Sequence, residues 1–537
     1  VAEGLVIGAL GAACGVVLGY LLAHYAVTVR GADLGAGYFR TVTANLAADP
    51  PALGLFFVLG VLFATLGAAV PAWEAARRPP ARALHAGDEE EGLSKLRTTR
   101  WGAAAWAAAI PCTLLPPMDG LPVGGYVAIA LILAGSVLLM PRLATAALER
   151  LPAPHGVPAA IATAQLKGTP HQAAISIAAV VISMSLMVSM LIMVSSFRLS
   201  LETWLEQMLP ADLYLRVGRG GETGFLTPEE QARIATTAGI ERSEFLRSQN
   251  LVLDPERSPV TLLARPVDAA NADRKLPLTG PLRKPRPGEP PPVWVSEVAA
   301  ELYGWHTGER VQLPIGNEQR VCTIAGIWRD YARQNGAIVI DRALYIELTG
   351  DSLVNDVALW LAHDADFAEV QRALQDRLGA AERIEISTPS EIRAASLALF
   401  DRTFAITYAL EAAAVVVGLF GVSVSFSAQA LARRREFGML RHIGMTRREI
   451  GIMLGIEGAV VTALGAAFGL AVGAAISLIL VRVINRQSFH WTMELHAPWL
   501  ALAGLAVMIV AAATVTAVWS GRAAMKEDVV RAVREDW

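Results

Sequence analysis

Six long apolar stretches of this chain carry no aspartate, glutamate, lysine or arginine: 4–29, 50–73, 101–118, 120–141, 168–197 and 495–521. Two more, 403–432 and 450–481, carry one acid each, Glu411 and Glu457. A helix needs about 20 mostly apolar residues to cross a bilayer. One such run could be a buried core helix; eight predict an α-helical polytopic membrane protein with about eight transmembrane helices. The 101–118 and 120–141 pair is the least regular, because Pro111, Pro116, Pro117 and Asp119 crowd its turn, and a tight hairpin is expected there. Charged residues make up 18% of the chain, below the ~25% of ordinary soluble proteins. The net charge of −3 offers no global basic field for nucleic acid. Cys14, Cys112 and Cys322 lie too far apart in sequence for a metal motif, and a disulfide framework is not expected.

Lysine and arginine set the orientation. The flanks 77–100, 142–167, 433–448 and the tail from 522 hold nineteen of them, against four in 30–49, 119 and 482–494. The first set is therefore cytoplasmic. Trp73, Trp101, Trp499 and Trp519 stand at span ends, as an interfacial belt requires. The sequence opens at Val1 inside a helix entry, with neither an initiator Met nor a basic leader, and reads as N-terminally incomplete.

Residues 198–401 have ordinary polarity and lie between spans, on the outer face. DLYLRV at 212–217 alternates like a strand. Thr227, Pro228 and Glu230 open a helix over 227–238 as N-cap, N1 and N3. Strands are expected at 251–253 and 260–264; a second unit repeats strand, helix, strand at 357–361, 367–378 and 384–387. Together these predict an α+β domain with its helices on one face. A β-rich lobe at about 275–355 interrupts it, opening on the proline-rich 277–292 and followed by strands near 293–295, 310–313, 320–327 and 337–340.

The chain also repeats itself. EGLVIGALGAACG at 3–15 matches EGAVVTALGAAFG at 457–469 in full register, an offset of 454. Both copies carry glycines every four residues: Gly11, Gly15 and Gly19, then Gly465, Gly469 and Gly473. That spacing makes one helical face without Cβ atoms, suited to close helix packing. Segments 75–85 and 524–534, each after a last span, also echo one another. Two related bundles are therefore expected: 1–100 as the end of a first repeat, 101–167 as linking hairpin and cytoplasmic linker, and a second repeat that begins with span 168–197 and closes with three helices in 402–537.

Between two of those last spans lies LARRREFGMLRHIGMTRREI, 431–450. Arg433, Arg434 and Arg435 continue the helix leaving the membrane, followed by Glu436 and Gly438. Phe437, Leu440 and Ile443 form an apolar stripe beside Arg441 and the other charges. Gly444 stops the helix. Thr446 and Glu449 make a capping box that starts the next span through Arg447 and Arg448. The expected product is a short amphipathic helix in the interface that a cytoplasmic partner can grip.

The elbow, the Glu457-Gly458 pair and the glycine-rich span after it resemble the signature of FtsX-like ABC transporter permeases of the MacB and LolC type. Ser196-Phe197-Arg198 through Trp204, with Ala211–Tyr214, resembles that family's exit into its MacB-like periplasmic domain. The two repeats resemble its ten-helix members. The resemblance implies a multi-pass protein of a bacterial inner membrane, with 198–401 periplasmic and 431–450 as coupling helix for a separate ABC ATPase subunit. ATP and Mg would be bound by that partner, and this chain would be a non-catalytic permease with no cofactor of its own. Membrane lipid and an extracytoplasmic substrate or accessory protein complete the implied partners. The sequence agrees in lacking G-x-x-x-x-G-K-[ST], H-E-x-x-H and G-x-S-x-G. Export or extraction of a lipoprotein, lipid, peptide or drug is the expectation. The alternative is a non-transporting relay that activates an outer hydrolase. An ion-coupled transporter would want paired charges inside its spans, where Glu411 alone is a candidate. Glu457, at the cytoplasmic end of its span, is expected to pair with Arg441 or Arg447. Met184, Met187, Met190 and Met193 are read as a packing stripe.

Overall fold

The computed structural model describes residues 2–28, 49–77, 97–118, 120–152, 155–218, 224–316, 318–378 and 384–524. Among them, seven helices are long and apolar enough to cross a membrane. The first two, α1 (Ala2–Thr28) and α2 (Pro50–Arg77), form an antiparallel pair in which Gly4 and Gly8 face Ala68 and Ala64, and Gly60 faces Ala12. The expected eighth span, 101–118, is instead α3 (Arg97–Cys112). Its 16 residues reach about 24 Å at 1.5 Å each, short of a ~30 Å hydrocarbon core. Pro111 lies in its last turn, and Pro116 and Pro117 prevent it continuing. It packs as a hairpin on α4 (Val123–Glu149), where Gly102 and Gly135 let the backbones close and Trp106 donates to Ser136 Oγ at 3.2 Å.

After α5 (Val157–Gly168) comes α6 (Pro170–Met208), 39 residues long. At about 58 Å it overshoots the bilayer and carries the chain into the outer domain. The return path is α11 (Pro389–Thr403), then α12 (Ala405–Ala432). Arg198 on α6 pairs with Asp401 on α11 at 2.9 Å, joining exit to return. The short α13 (Arg434–His442) leads to α14 (Arg447–Ile479). A π-helical turn, Leu480–Ile484, continues α14 into α15 (Asn485–Phe489). His490 ends it in the left-handed region at φ 58°. An extended loop then leads to α16 (Trp499–Ala524). The charge pattern predicts an outer loop at 482–494; the helix holds to 489 instead, because Asn485 on its inner face is buried and bonds the carbonyl of Trp491.

The outer domain is one nine-stranded sheet in the order β5-β6-β4-β7-β3-β2-β8-β1-β9. Its strands are β1 (Leu213–Val217), β2 (Ile240–Leu251), β3 (Val260–Arg265), β4 (Pro292–Ser296), β5 (Arg310–Ile315), β6 (Glu318–Trp328), β7 (Ala337–Asp341), β8 (Asp356–Leu361) and β9 (Ile384–Ser387). Helix α7 (Pro228–Ala235), opened by the Thr227–Glu230 capping box, and α10 (Phe367–Leu378) pack through Ile234, Val370 and Leu374 on Leu213, Leu215 and Leu359. The second part adds α8 (Glu297–Tyr303) and α9 (Arg342–Thr349) over a core of Val293, Val295, Ile324, Ile338 and Tyr345.

One strand departs from expectation. The reading placed a strand at 251–253, but β2 is a twelve-residue strand ending at Leu251. Its first half pairs with β8 and its second with β3. The inserted lobe thus shares the main sheet. The charges in IERSEFLRSQNL masked this strand, because it is only half-buried along most of its length.

Candidate functional site

The elbow is built where three helices meet. Phe437 on α13 is buried against Ala162 of α5 and Ile450, Met453 and Leu454 of α14, with Leu440 and Met445 at the margin. Gly444 adopts φ 106°, a conformation only glycine takes without strain. Thr446 then accepts from the Glu449 amide while the Glu449 carboxylate accepts from the Thr446 amide, so two of the orphan donors at the start of α14 are satisfied.

A buried ion pair locks this corner. Arg433, at the joint of α12 and α13, donates to both oxygens of Glu457 at 2.7 and 3.3 Å. It also donates to Glu436 at 2.9 Å and lies over the Phe437 ring, 5.4 Å from its centroid. The Arg433 and Glu457 side chains are 11% and 6% exposed. Arg433, not Arg441 or Arg447, is therefore the partner of Glu457. Arg447 points to solvent from the first turn of α14, whereas the break at Arg433 aims its guanidinium back at the third turn.

The faces of α13 also differ from the expected stripe. Phe437 and Leu440 turn inward, whereas Ile443 is 83% exposed and Met439 60%. The apolar surface offered outward is thus Met439 with Ile443, four residues apart. Met439 stood in the sequence beside the stripe, and only the angle at which α13 lies on α5 and α14 shows that it faces out. His442, Gly444, Arg447 and Arg448 surround the pair and are exposed; Gly438 and Arg441 are partly covered. The side chains of Arg434 and Arg435 lie outside the described residues.

The two glycine faces behave differently. A Cβ on Gly465, Gly469 or Gly473 would stand 2.6 Å from Val180, Met184 or Val188 on α6, so α6 and α14 run parallel in backbone-close contact. Met184 and Met187 are buried on α6. A Cβ added at Gly11, Gly15 or Gly19 would meet no described atom of another segment within 4 Å. The packing expected of that first face is not made within these residues; α1 uses Gly4 and Gly8 instead, as Gly458 does against Ala517 on α16. Glu411 lies in the second turn of α12, half-buried, and no salt bridge joins it among the described residues. The paired segments 75–85 and 524–534 fall largely outside the described residues.

Among the described residues no group of three or more His, Cys, Asp or Glu side chains could hold a metal ion.

A short helix seated between longer apolar helices, a long helix running from it, and a sheet domain at the far end make up the described architecture. Residues 173–377 match the MacB-like periplasmic core domain, and 409–529 match the FtsX-like permease C-terminal domain. The chain thus carries a MacB-like periplasmic core domain and an FtsX-like permease C-terminal domain beside seven helices long and apolar enough to cross a membrane, which fits a multi-pass protein of an inner membrane. It is similar to the uncharacterized ABC transporter permease protein Rv0987 of Mycobacterium tuberculosis, 28% identical over 506 residues. That alignment covers 92% of this chain and 59% of the relative, so the chain spans little more than half of that protein's length. The macrolide export ATP-binding/permease protein MacB of Bdellovibrio bacteriovorus is 26% identical over 152 residues, 27% of this chain and 23% of its own. Among solved structures, the periplasmic region of MacB from Actinobacillus actinomycetemcomitans aligns with a TM-score of 0.26 and 14% identity, covering 36% of this chain and 94% of that one. The extracellular domain of the transporter YknZ from Gram-positive bacteria aligns at 0.24 and 13%, covering 33% and 99%.

Proposed function

We propose that this chain is the permease part of an ABC transporter in which a separate ATPase docks on α13, and its closure drives the outer domain to export or extract a substrate. One observation carries the reading. Helix α13 is fastened to α14 by the buried Arg433–Glu457 pair, yet presents Met439 and Ile443 uncovered. A surface that is apolar, small and rigidly seated suits a partner that must push as well as bind. The push has a stiff path: α14 rests on α6 through three glycine contacts, and α6 enters the outer domain without a break. The Bdellovibrio relative, an ATP-binding/permease protein, supports the pairing of an ATP-binding part with a permease part.

The test is co-purification of the full chain with a candidate ATPase subunit from detergent. Met439→Asp and Ile443→Asp, both on exposed positions, should each weaken association more than ~10-fold, since burying a charge in an apolar contact costs over about 1.4 kcal/mol. Gly444→Pro, which cannot take φ 106°, should do the same by turning α13. Undiminished association of all three would remove α13 as the docking element.

A further inference from the structure

The loop between α15 and α16 has no regular structure from 491 to 498, yet its backbone is not left to water. Side chains from four other places bond it. Asn485 donates to the carbonyl of Trp491 at 3.0 Å. Glu297, on α8 of the outer domain, accepts from the Thr492 amide at 3.0 Å and from its hydroxyl at 2.7 Å. Tyr331 donates its hydroxyl to the Thr492 carbonyl at 2.7 Å. On α6, Ser200 accepts from the Glu494 amide at 3.2 Å and Ser196 from the His496 amide at 2.9 Å. Beneath these bonds Trp491 packs with Trp204, Leu205, Val298 and Tyr331. Arg329 pairs with Glu494 at 2.8 Å and Arg486 with Glu301 at 3.5 Å on the rim.

Thr492 stands out because all three of its polar groups are held by the outer domain. Glu297 is 9% exposed, and no salt bridge joins it among the described residues. A buried carboxylate is costly unless its oxygens are bonded, and those oxygens are spent on this one threonine. Burial pushes the Tyr331 hydroxyl up to about 12, so it remains a donor at physiological pH.

We propose that Thr492 is a positioning residue that straps the outer domain to the α14–α16 side of the bundle, giving movement a second path besides α6. Its purpose rests on the function proposed above; the strap itself does not. Through it, a shift of α14 reaches α8 directly, so the outer domain is driven from two helices and turns with them rather than swinging on α6 alone.

Hydrogen exchange on the full chain in lipid nanodiscs, read by mass spectrometry, tests the strap without any ATPase. Thr492→Val keeps the shape and loses the hydroxyl. It should speed exchange about tenfold in both 297–303 and 490–498, as expected for a lost bond to a charged acceptor. Thr492→Ser should exchange like the wild type. Tyr331→Phe should loosen 490–498 as well, and peptides from β1, β8 and β9 should not change. Acceleration confined to 490–498, or Ser behaving like Val, would overturn the strap. Adding the ATPase and a non-hydrolysable ATP analogue separates the two claims. Thr492→Val should abolish the nucleotide-dependent change at 297–303 while leaving that at 198–208. A wild type with no nucleotide-dependent change at either segment would reject the proposed function and leave the strap standing; an unaltered change at 297–303 in Thr492→Val would reject the second path.

Discussion

At the scale of single residues, glycines with the same spacing have different duties. A Cβ added at Gly469 would stand 2.6 Å from that of Met184, whereas one added at Gly15 would meet no described atom within 4 Å. Gly469→Leu should therefore force α6 and α14 apart and lower stability by about 3 kcal/mol, at the upper end of overpacking costs. Gly15→Leu should be tolerated. Thermal unfolding in detergent compares the two, and equal midpoints would contradict the difference. Cys322 on β6 is buried and free, and burial pushes its thiol from 9.0 up to about 11. The folded state holds that proton more tightly than the unfolded chain. The resulting stability is whole below pH 9 and is lost as pH rises through 11. At pH 8 a thiol reagent should leave Cys322 unmodified until denaturant is added; rapid labelling of the native protein would refute this. The glycine spacing was legible in the sequence, but its contacts were not, because a period of four shows a face and not what covers it.

At the scale of elements, the elbow shows how far local signals reach. Its stop at Gly444 and its capping box are local, set by backbone sterics and by bonds three residues apart, and both were legible. The Arg433–Glu457 pair spans 24 residues and depends on how α13 folds back on α14, so the partner of Glu457 was misread. Glu457→Gln leaves the Arg433 guanidinium buried without its bidentate acceptor, and a loss of about 3 kcal/mol is expected for a broken buried pair. Glu436→Gln, at a side chain 45% exposed, should cost less than about 1 kcal/mol. Denaturation of the two variants side by side checks the ranking, and equal losses would show that the pair does not hold the corner. Strand β2 is the corresponding miss in the outer domain. Its residues gain their partners from β8, more than a hundred residues away, and from β3, 9 to 17 residues away, and no alternation of its own announces it.

At the scale of the whole molecule, the outer domain has three cores of its own, one of them around Trp294 and Trp328, and it meets the bundle through Trp204, Tyr331 and Trp491. Residues 198–401 expressed alone should fold, with a mixed α/β far-UV spectrum. Their midpoint should lie several degrees below that of the domain in the full chain, because Val298 and Tyr331 lose Trp491 and the loop. A spectrum without structure would show that the domain depends on the bundle. Uncharged runs, the arginine bias of their flanks and the polar stretch between them determined by themselves that this chain crosses a membrane and carries a domain outside it. Those features follow from transfer of side chains between water and lipid, which each segment undergoes largely on its own. The tertiary structure alone decided which glycine face is filled, which arginine answers Glu457, which apolar residues the elbow leaves exposed, and that Thr492 is held by the outer domain. Each of these is a contact between segments distant in sequence, and its geometry exists only once helices and sheet have packed.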